Sequence, residues 1–203
     1  MAPPVPDVIA VGRIIAIARH LDPDRAGDLA QALAAGGVDV LEVTMDSPDP
    51  ARAIRNAAFA LTVGAGTVMN RDQAELAVAA GAVFVVSPHV SLPLIEWGSL
   101  HGVATIPGAL SPTEVVNAFD AGAAAVKVFP ISIGGEQLIR ELRGPLPHIP
   151  LIPSGGISIE TGPGLLAAGA IAIGVGGWLT GPADLDVVQA RATELVAACR
   201  PSS

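Results

Sequence analysis

A chain of 203 residues that is 51% hydrophobic fits one domain with a sizeable core, and with 3% aromatics and no tyrosine that core is built from Ala, Val, Leu and Ile. A net charge of −8 argues against nucleic acid or an anionic membrane as a partner, while leaving room for a local basic site that takes a small anion. The single cysteine, Cys199, excludes an internal disulfide framework, and neither a signal peptide nor a run of roughly 18 apolar residues is visible, so a cytoplasmic setting is expected.

Residues 1–12, rich in proline at the start, read as an irregular lead-in, and 13–203 as one catalytic domain. From there β-type apolar runs recur at 13–19, 39–44, 61–66, 84–88, 104–108, 124–130, 149–155 and 171–177. Stretches of helical period lie between them. A helix is expected over 24–35, with Leu29 and Leu33 four apart, and others over 72–80 and 112–121, which open on Asp72 and Ser111-Pro112 and stop at glycine. The last, over 183–199, carries Leu185, Val188 and Leu195 on one face.

Strict alternation of strand and helix implies a parallel sheet. Eight such units without a linker predict an α/β fold, a single-domain, parallel eight-stranded (β/α)₈ TIM barrel, at the short end of a class whose length runs from about 200 residues. The rival doubly wound sheet needs G-x-G-x-x-G after the first strand, where this chain has Arg19-His20-Leu21-Asp22-Pro23.

Lys127 is the only lysine, the other ten basic residues being arginines. It lies in Ala-Ala-Ala-Val-Lys-Val-Phe-Pro, and alternation puts Ala125, Lys127 and Phe129 on one face of the sixth strand. Helices cover the outer face of a barrel strand, so this lysine points inward. Desolvation disfavours the charged form of an amine, and the neutral amine is what attacks a carbonyl. The bland alternative is a lysine held by a buried carboxylate for support. Glu42, in Val-Asp-Val-Leu-Glu-Val-Thr, turns inward by the same logic near the top of the second strand. It reads equally as an acid/base group or as the ion-pair partner of Lys127.

Glycines cluster where strands seven and eight end, in Ser154-Gly155-Gly156 and Gly174-Val175-Gly176-Gly177. In barrels such loops cradle phosphate on backbone N–H groups, the other reading being tight turns. Arg19 ends strand one and can hold a carboxylate or phosphate at the mouth, or be a solvated surface arginine. Thr67 ends strand three and offers a hydroxyl, or is a turn residue. The four histidines show no metal-ligand spacing, and neither a nucleophile elbow nor a P-loop appears.

Together these residues resemble the 2-keto-3-deoxy-6-phosphogluconate aldolase family, including its 6-phosphogalactonate and 4-hydroxy-2-oxoglutarate branches. The likeness runs from residue 14 onward. It rests on Leu-Glu-Val-Thr at Glu42, Val-Gly-Ala-Gly-Thr-Val at Thr67, Ser87-Pro88, Ile106-Pro107-Gly108, Val126-Lys127-Val128-Phe129-Pro130, Ser154-Gly155-Gly156-Ile157 and Gly176-Gly177-Trp178. The resemblance implies that Lys127 forms a Schiff base with a 2-keto acid and that Glu42 is the acid/base. Thr67 would contact the carboxylate, with Pro88 and Phe129 shaping the pocket. Ser154, Gly155, Gly156, Gly176 and Gly177 would hold a distal phosphate. A homotrimer without metal or cofactor, acting on a small molecule, is expected. Two departures stand out. The phosphogluconate branch carries arginine where this chain has Asp46, and often serine where it has Gly177. The galactonate branch is closer here, with an Ile-Ala-Ile-x-Arg first strand that Arg19 matches, though Asp46 is acidic even against that pattern. Asp46 is expected to point away from a bound carboxylate or to bind a hydroxyl. A non-catalytic keto-acid- or phosphate-binding barrel is the rival from another class.

Overall fold

The alternating runs form eight parallel strands in a computed structural model that describes residues 3–199. They are β1 Ile14–Ala18, β2 Val40–Thr44, β3 Thr62–Gly66, β4 Phe84–Ser87, β5 Ala104–Ala109, β6 Val126–Val128, β7 Leu151–Pro153 and β8 Ile173–Val175. Their order is β7-β6-β5-β4-β3-β2-β1-β8. The ring closes between β7 and β8 through a single parallel bridge, Ser154 to Gly174, and the Ile171 N–H, which donates to the Leu151 carbonyl at 3.0 Å. The chain is a single-domain (β/α)₈ barrel.

Ten α-helices are present among the described residues: α1 Asp7–Gly12, α2 Ala26–Ala35, α3 Pro50–Ala57, α4 Arg71–Ala79, α5 Leu92–His101, α6 Pro112–Asp120, α7 Gly135–Arg143, α8 Gly162–Ala167, α9 Gly177–Thr180 and α10 Leu185–Cys199. None is long and apolar enough to cross a membrane. The expected helices over 24–35, 72–80, 112–121 and 183–199 correspond to α2, α4, α6 and α10. The lead-in is not irregular throughout: α1 forms because an apolar Val-Ile-Ala-Val run follows Asp7, and its Ile9 is fully buried among barrel-interior residues such as Ile15, Val40 and Phe84. Since α1 directly precedes β1, Ile9 plugs the end of the barrel where the strands begin. Strand eight also stops short of the expected run, because Gly177 already opens α9.

Side-chain alternation divides the core in two. Ile15, Ile17, Val40, Val86, Ile106 and Ile152 pack inside the ring. Leu41, Val43, Val126 and Val128 pack outward, in one cluster with helix residues such as Leu29, Ile54 and Leu142. The interior is filled unevenly. Phe84 takes the space that a side chain at Gly64 would need, so glycine at that position is a packing requirement.

Candidate active site

Alternation on β2 and β6 carries two buried charged side chains inward, as expected. Glu42 is 2% and Lys127 6% exposed. In register, Glu42 lies beside Ile17 of β1 and Gly64 of β3, and Lys127 beside Gly108 of β5 and Ile152 of β7. Across the barrel, Lys127 Nζ stands 3.6 Å from Glu42 Oε1, within ion-pair reach but beyond a good hydrogen bond. Glu42 Oε1 has no hydrogen-bond partner among the described residues. A buried, incompletely satisfied carboxylate beside an amine is costly as architecture and useful as chemistry. The amine also lies 5.5 Å from the Phe129 ring centroid.

Room for the Glu42 carboxylate comes from β3. A side chain at Gly66 would overlap it, with the Glu42 Cγ 2.7 Å from where a Cβ would stand. Sequence reasoning did not single out Gly66. The signal was there in Val-Gly-Ala-Gly-Thr, whose two glycines share the inward face opposite the glutamate.

Glu42 and Lys127 line a small void of about 10 Å³ inside the ring. Above it opens a cleft of about 520 Å³ that contains Arg19, Phe129 and both glycine pairs, Gly155-Gly156 and Gly176-Gly177. The two ionisable groups therefore sit one layer beneath the mouth rather than at it. Ile17 and Ser154 line both spaces and form the floor between them. Ser154, expected to join the phosphate loop, is 4% exposed and continues the inward face of β7 after Ile152. Its side chain thus also borders the Lys127–Glu42 void. Gly155 and Gly156 have φ of 108° and 75°, a backbone that only glycine adopts without strain. Pro88 is half-buried at the end of β4, and its carbonyl abuts Gly108. It does not line the large cleft.

At the rim the ends of β1, β2 and β3 are stitched together. Arg19 Nη1 donates to Asp46 Oδ2 at 3.1 Å and to Thr67 Oγ1 at 3.2 Å. Thr44, fully buried, faces both the Asp46 carboxylate and the Ala18 carbonyl with its hydroxyl. Asp46 thus neither points away nor stands free to take a substrate hydroxyl; it is paired with Arg19. Burial pushes its carboxyl upward, but hydrogen bonds from Thr44 and Arg19 and the Arg19 charge outweigh this and hold it below the ordinary aspartate value. Thr67 has φ of 55°, unusual for a β-branched residue. Among the described residues no group of three or more His, Cys, Asp or Glu is arranged to hold a metal ion.

The model of the KDPG and KHG aldolase family matches residues 5–198. The chain is 38% identical over 156 residues to the 2-dehydro-3-deoxy-phosphogluconate aldolase of Pseudoalteromonas atlantica, which covers 75% of this chain and 73% of that one. It is 34% identical over 174 residues to a probable 2-dehydro-3-deoxy-6-phosphogalactonate aldolase of Rhizobium meliloti, covering 83% and 82% of the two chains. Among solved structures, the KDPG aldolase of Legionella pneumophila, with pyruvate captured as a covalent carbinolamine, superposes with a TM-score of 0.78 at 28% identity, over 95% of this chain and 94% of that one.

Proposed function

The chain belongs to the KDPG and KHG aldolase family and is a carbon–carbon lyase, and from that premise we propose that it cleaves a 2-keto-3-deoxy-6-phospho sugar acid to pyruvate and glyceraldehyde 3-phosphate through an imine on Lys127. The observation that carries this reading is the chain's one lysine, buried inside the barrel against an incompletely satisfied glutamate.

Lys127 Nζ adds to the ketone carbon to give a carbinolamine, which loses water to a protonated imine. The imine at the second carbon withdraws electrons from the bond between the third and fourth carbons, whose electron pair becomes the enamine. Glu42 takes the proton of the hydroxyl on the carbon beyond, directly or through water, and the bond breaks to an aldehyde and an enamine. Protonation of the enamine and hydrolysis of the imine release pyruvate and restore the amine. Arg19 and Thr67 are assigned to the anion-binding rim, Phe129 to the wall of the cleft and Pro88 to the pocket edge outside it, and Ser154, Gly155, Gly156, Gly176 and Gly177 to the distal phosphate. Support for the phosphate assignment comes from the four glycines facing one cleft with Ser154. The reading extends to a cytoplasmic homotrimer, to be tested by light scattering for three times the 20.3 kDa chain.

Incubation with pyruvate and borohydride tests the mechanism. One pyruvyl-sized adduct is expected, absent from Lys127→Arg, with activity lost in proportion; an adduct that persists in Lys127→Arg sinks the assignment to Lys127, and no adduct at all points to a non-catalytic barrel. A second reading is favoured by the scarcity of cations in the cleft, where Arg19 is the one charged lining residue among those described: the substrate is 4-hydroxy-2-oxoglutarate, without phosphate. Comparable kcat/KM for that compound and the phosphorylated one would support it. Between the two phosphorylated epimers, the galactonate type is expected to be cleaved at least as well, because Asp46 replaces the cation of the gluconate pattern; a strong bias to the gluconate epimer overturns this.

A further inference from the structure

We infer that Asp46, together with Thr44, is the positioning residue that holds Arg19 on the cleft rim in the orientation in which it receives an anionic oxygen of the substrate. This rests on the aldolase reading of the same site. The observation behind it is a chain of contacts in which each member fixes the next. Thr44 is fully buried, so its hydroxyl has a set position between the Ala18 carbonyl and Asp46 Oδ1. Asp46 is thereby fixed, and its other oxygen accepts from Arg19 Nη1 at 3.1 Å. The same nitrogen reaches Thr67 Oγ1 at 3.2 Å on the next strand.

Among the described residues both side-chain hydrogen bonds of Arg19 are made through Nη1. Among the described residues nothing accepts from its Nε or Nη2, so the remaining edge of the guanidinium is unengaged. Among the described residues Arg19 is also the only charged side chain that lines the cleft, whose other polar side chains are Ser154, Ser158, Thr180 and Trp178. Guanidinium recognition of a carboxylate or phosphate is directional, requiring two donors aligned with two oxygens. A side chain that is 49% exposed would otherwise sample many rotamers. An acidic residue at the rim of an anion site is unfavourable on charge alone. Asp46 is tolerable there because it faces Arg19 and leaves the guanidinium's other edge to the ligand. His20 is the remaining ionisable neighbour, with Nδ1 3.2 Å from the Asp46 carbonyl and 3.9 Å from Oδ1.

The test uses the 203-residue chain and its Asp46→Ala, Asp46→Asn, Arg19→Ala and Asp46→Ala/Arg19→Ala variants. The rate of borohydride trapping is measured against pyruvate concentration, and kcat and KM with the phosphorylated sugar acid and with 4-hydroxy-2-oxoglutarate. Asp46→Ala should raise the half-saturating concentration about 3- to 5-fold, the weight of a partly exposed ion pair. The maximal rate should stay within about twofold, since the interaction is with the ground state as much as the transition state. Asp46→Asn, which keeps an acceptor oxygen, should recover part of the loss. In the Arg19→Ala background the Asp46 substitution should have no further effect. A shift seen with pyruvate alone identifies the substrate carboxylate as the anion, and one confined to the phosphorylated substrate identifies the phosphate. Unchanged half-saturation, tighter binding in Asp46→Ala, or additive effects in the double variant would overturn the inference. If the wild type traps no pyruvate at all, the aldolase reading itself fails, and this one with it.

Discussion

Lys127 and Glu42 face each other because two strands with period-two alternation converge on one axis, and that convergence was legible in the sequence. Each residue stands in an apolar run in which its neighbours at ±1 must face the helices, leaving the charged side chain only the interior. What the pattern could not give was the depth at which they meet. The step from barrel mouth to the layer beneath depends on the stagger of strands, which pairs Lys127 with Gly108 and Glu42 with Gly64. The Asp46–Arg19 pair was equally hidden, because it joins two strand ends 27 residues apart through side-chain geometry alone. Glu42→Gln keeps the shape and removes the base, so turnover should fall roughly 10²- to 10⁴-fold, the weight of a positioned acid/base. Thermal unfolding should change little. A variant with wild-type turnover and a lowered melting temperature would instead make Glu42 a structural counter-ion. The Asp46 carboxyl, held below its ordinary value, adds stability that is full above about pH 4, the unfolded aspartate range. That stability is lost as pH falls through the depressed folded value. Asp46→Asn should therefore flatten the acid limb of a stability-against-pH curve and leave its neutral and alkaline parts unaltered in shape.

Among the elements, β3 shows how one strand serves two purposes through two glycines. Gly64 yields its space to Phe84, and Gly66 to the Glu42 carboxylate. Gly64→Ala should then cost stability, about 1–3 kcal/mol as an overpacked core does, with kcat per folded molecule preserved. Gly66→Ala should do the reverse, displacing the acid/base and lowering kcat while denaturant midpoints move less. Equal effects of the two on activity would refute this division. Helices were legible where their ends carried plain signals. In α6 the Ser111 side chain accepts from the Glu114 N–H while Glu114 reaches back to the Ser111 N–H, a capping box on top of Pro112. Ser111→Ala should destabilise the barrel by about 1 kcal/mol, read from urea unfolding. By contrast α5 has no side-chain cap hydrogen bond at Ser91, and α7 and α8 carry Gly135 and the Gly162-Pro163-Gly164 run in their first turns. Read locally, these residues suggest loops; tertiary packing of Ile95, Ile139 and Leu165 against the strands makes them helical.

At the scale of the molecule, the eightfold alternation announced the barrel, but nothing in it announced how the ends are sealed. Ile9 closes the end where the strands begin, the opposite end from the cleft. Ile9→Ala should cost about 2–5 kcal/mol as a buried cavity does, seen as a lowered unfolding midpoint, while pyruvate trapping by the folded protein keeps its rate; loss of trapping would mean that the two ends are coupled. The ring itself is a hoop with one clasp. Seven of its joins pair one named strand with the next, though β3 and β4 meet in register only at Ala65 and Val85, and the eighth is the Ser154–Gly174 bridge with the Ile171 amide. The two glycine loops rise from the strands on either side of that clasp. An anion resting on both at once would act as a strap across that closing join. Substrate would then tighten its own container: the Ile171 amide should exchange slowly with a phosphorylated ligand bound and faster without it, and pyruvate, which is too short to reach across, should leave that exchange unaltered.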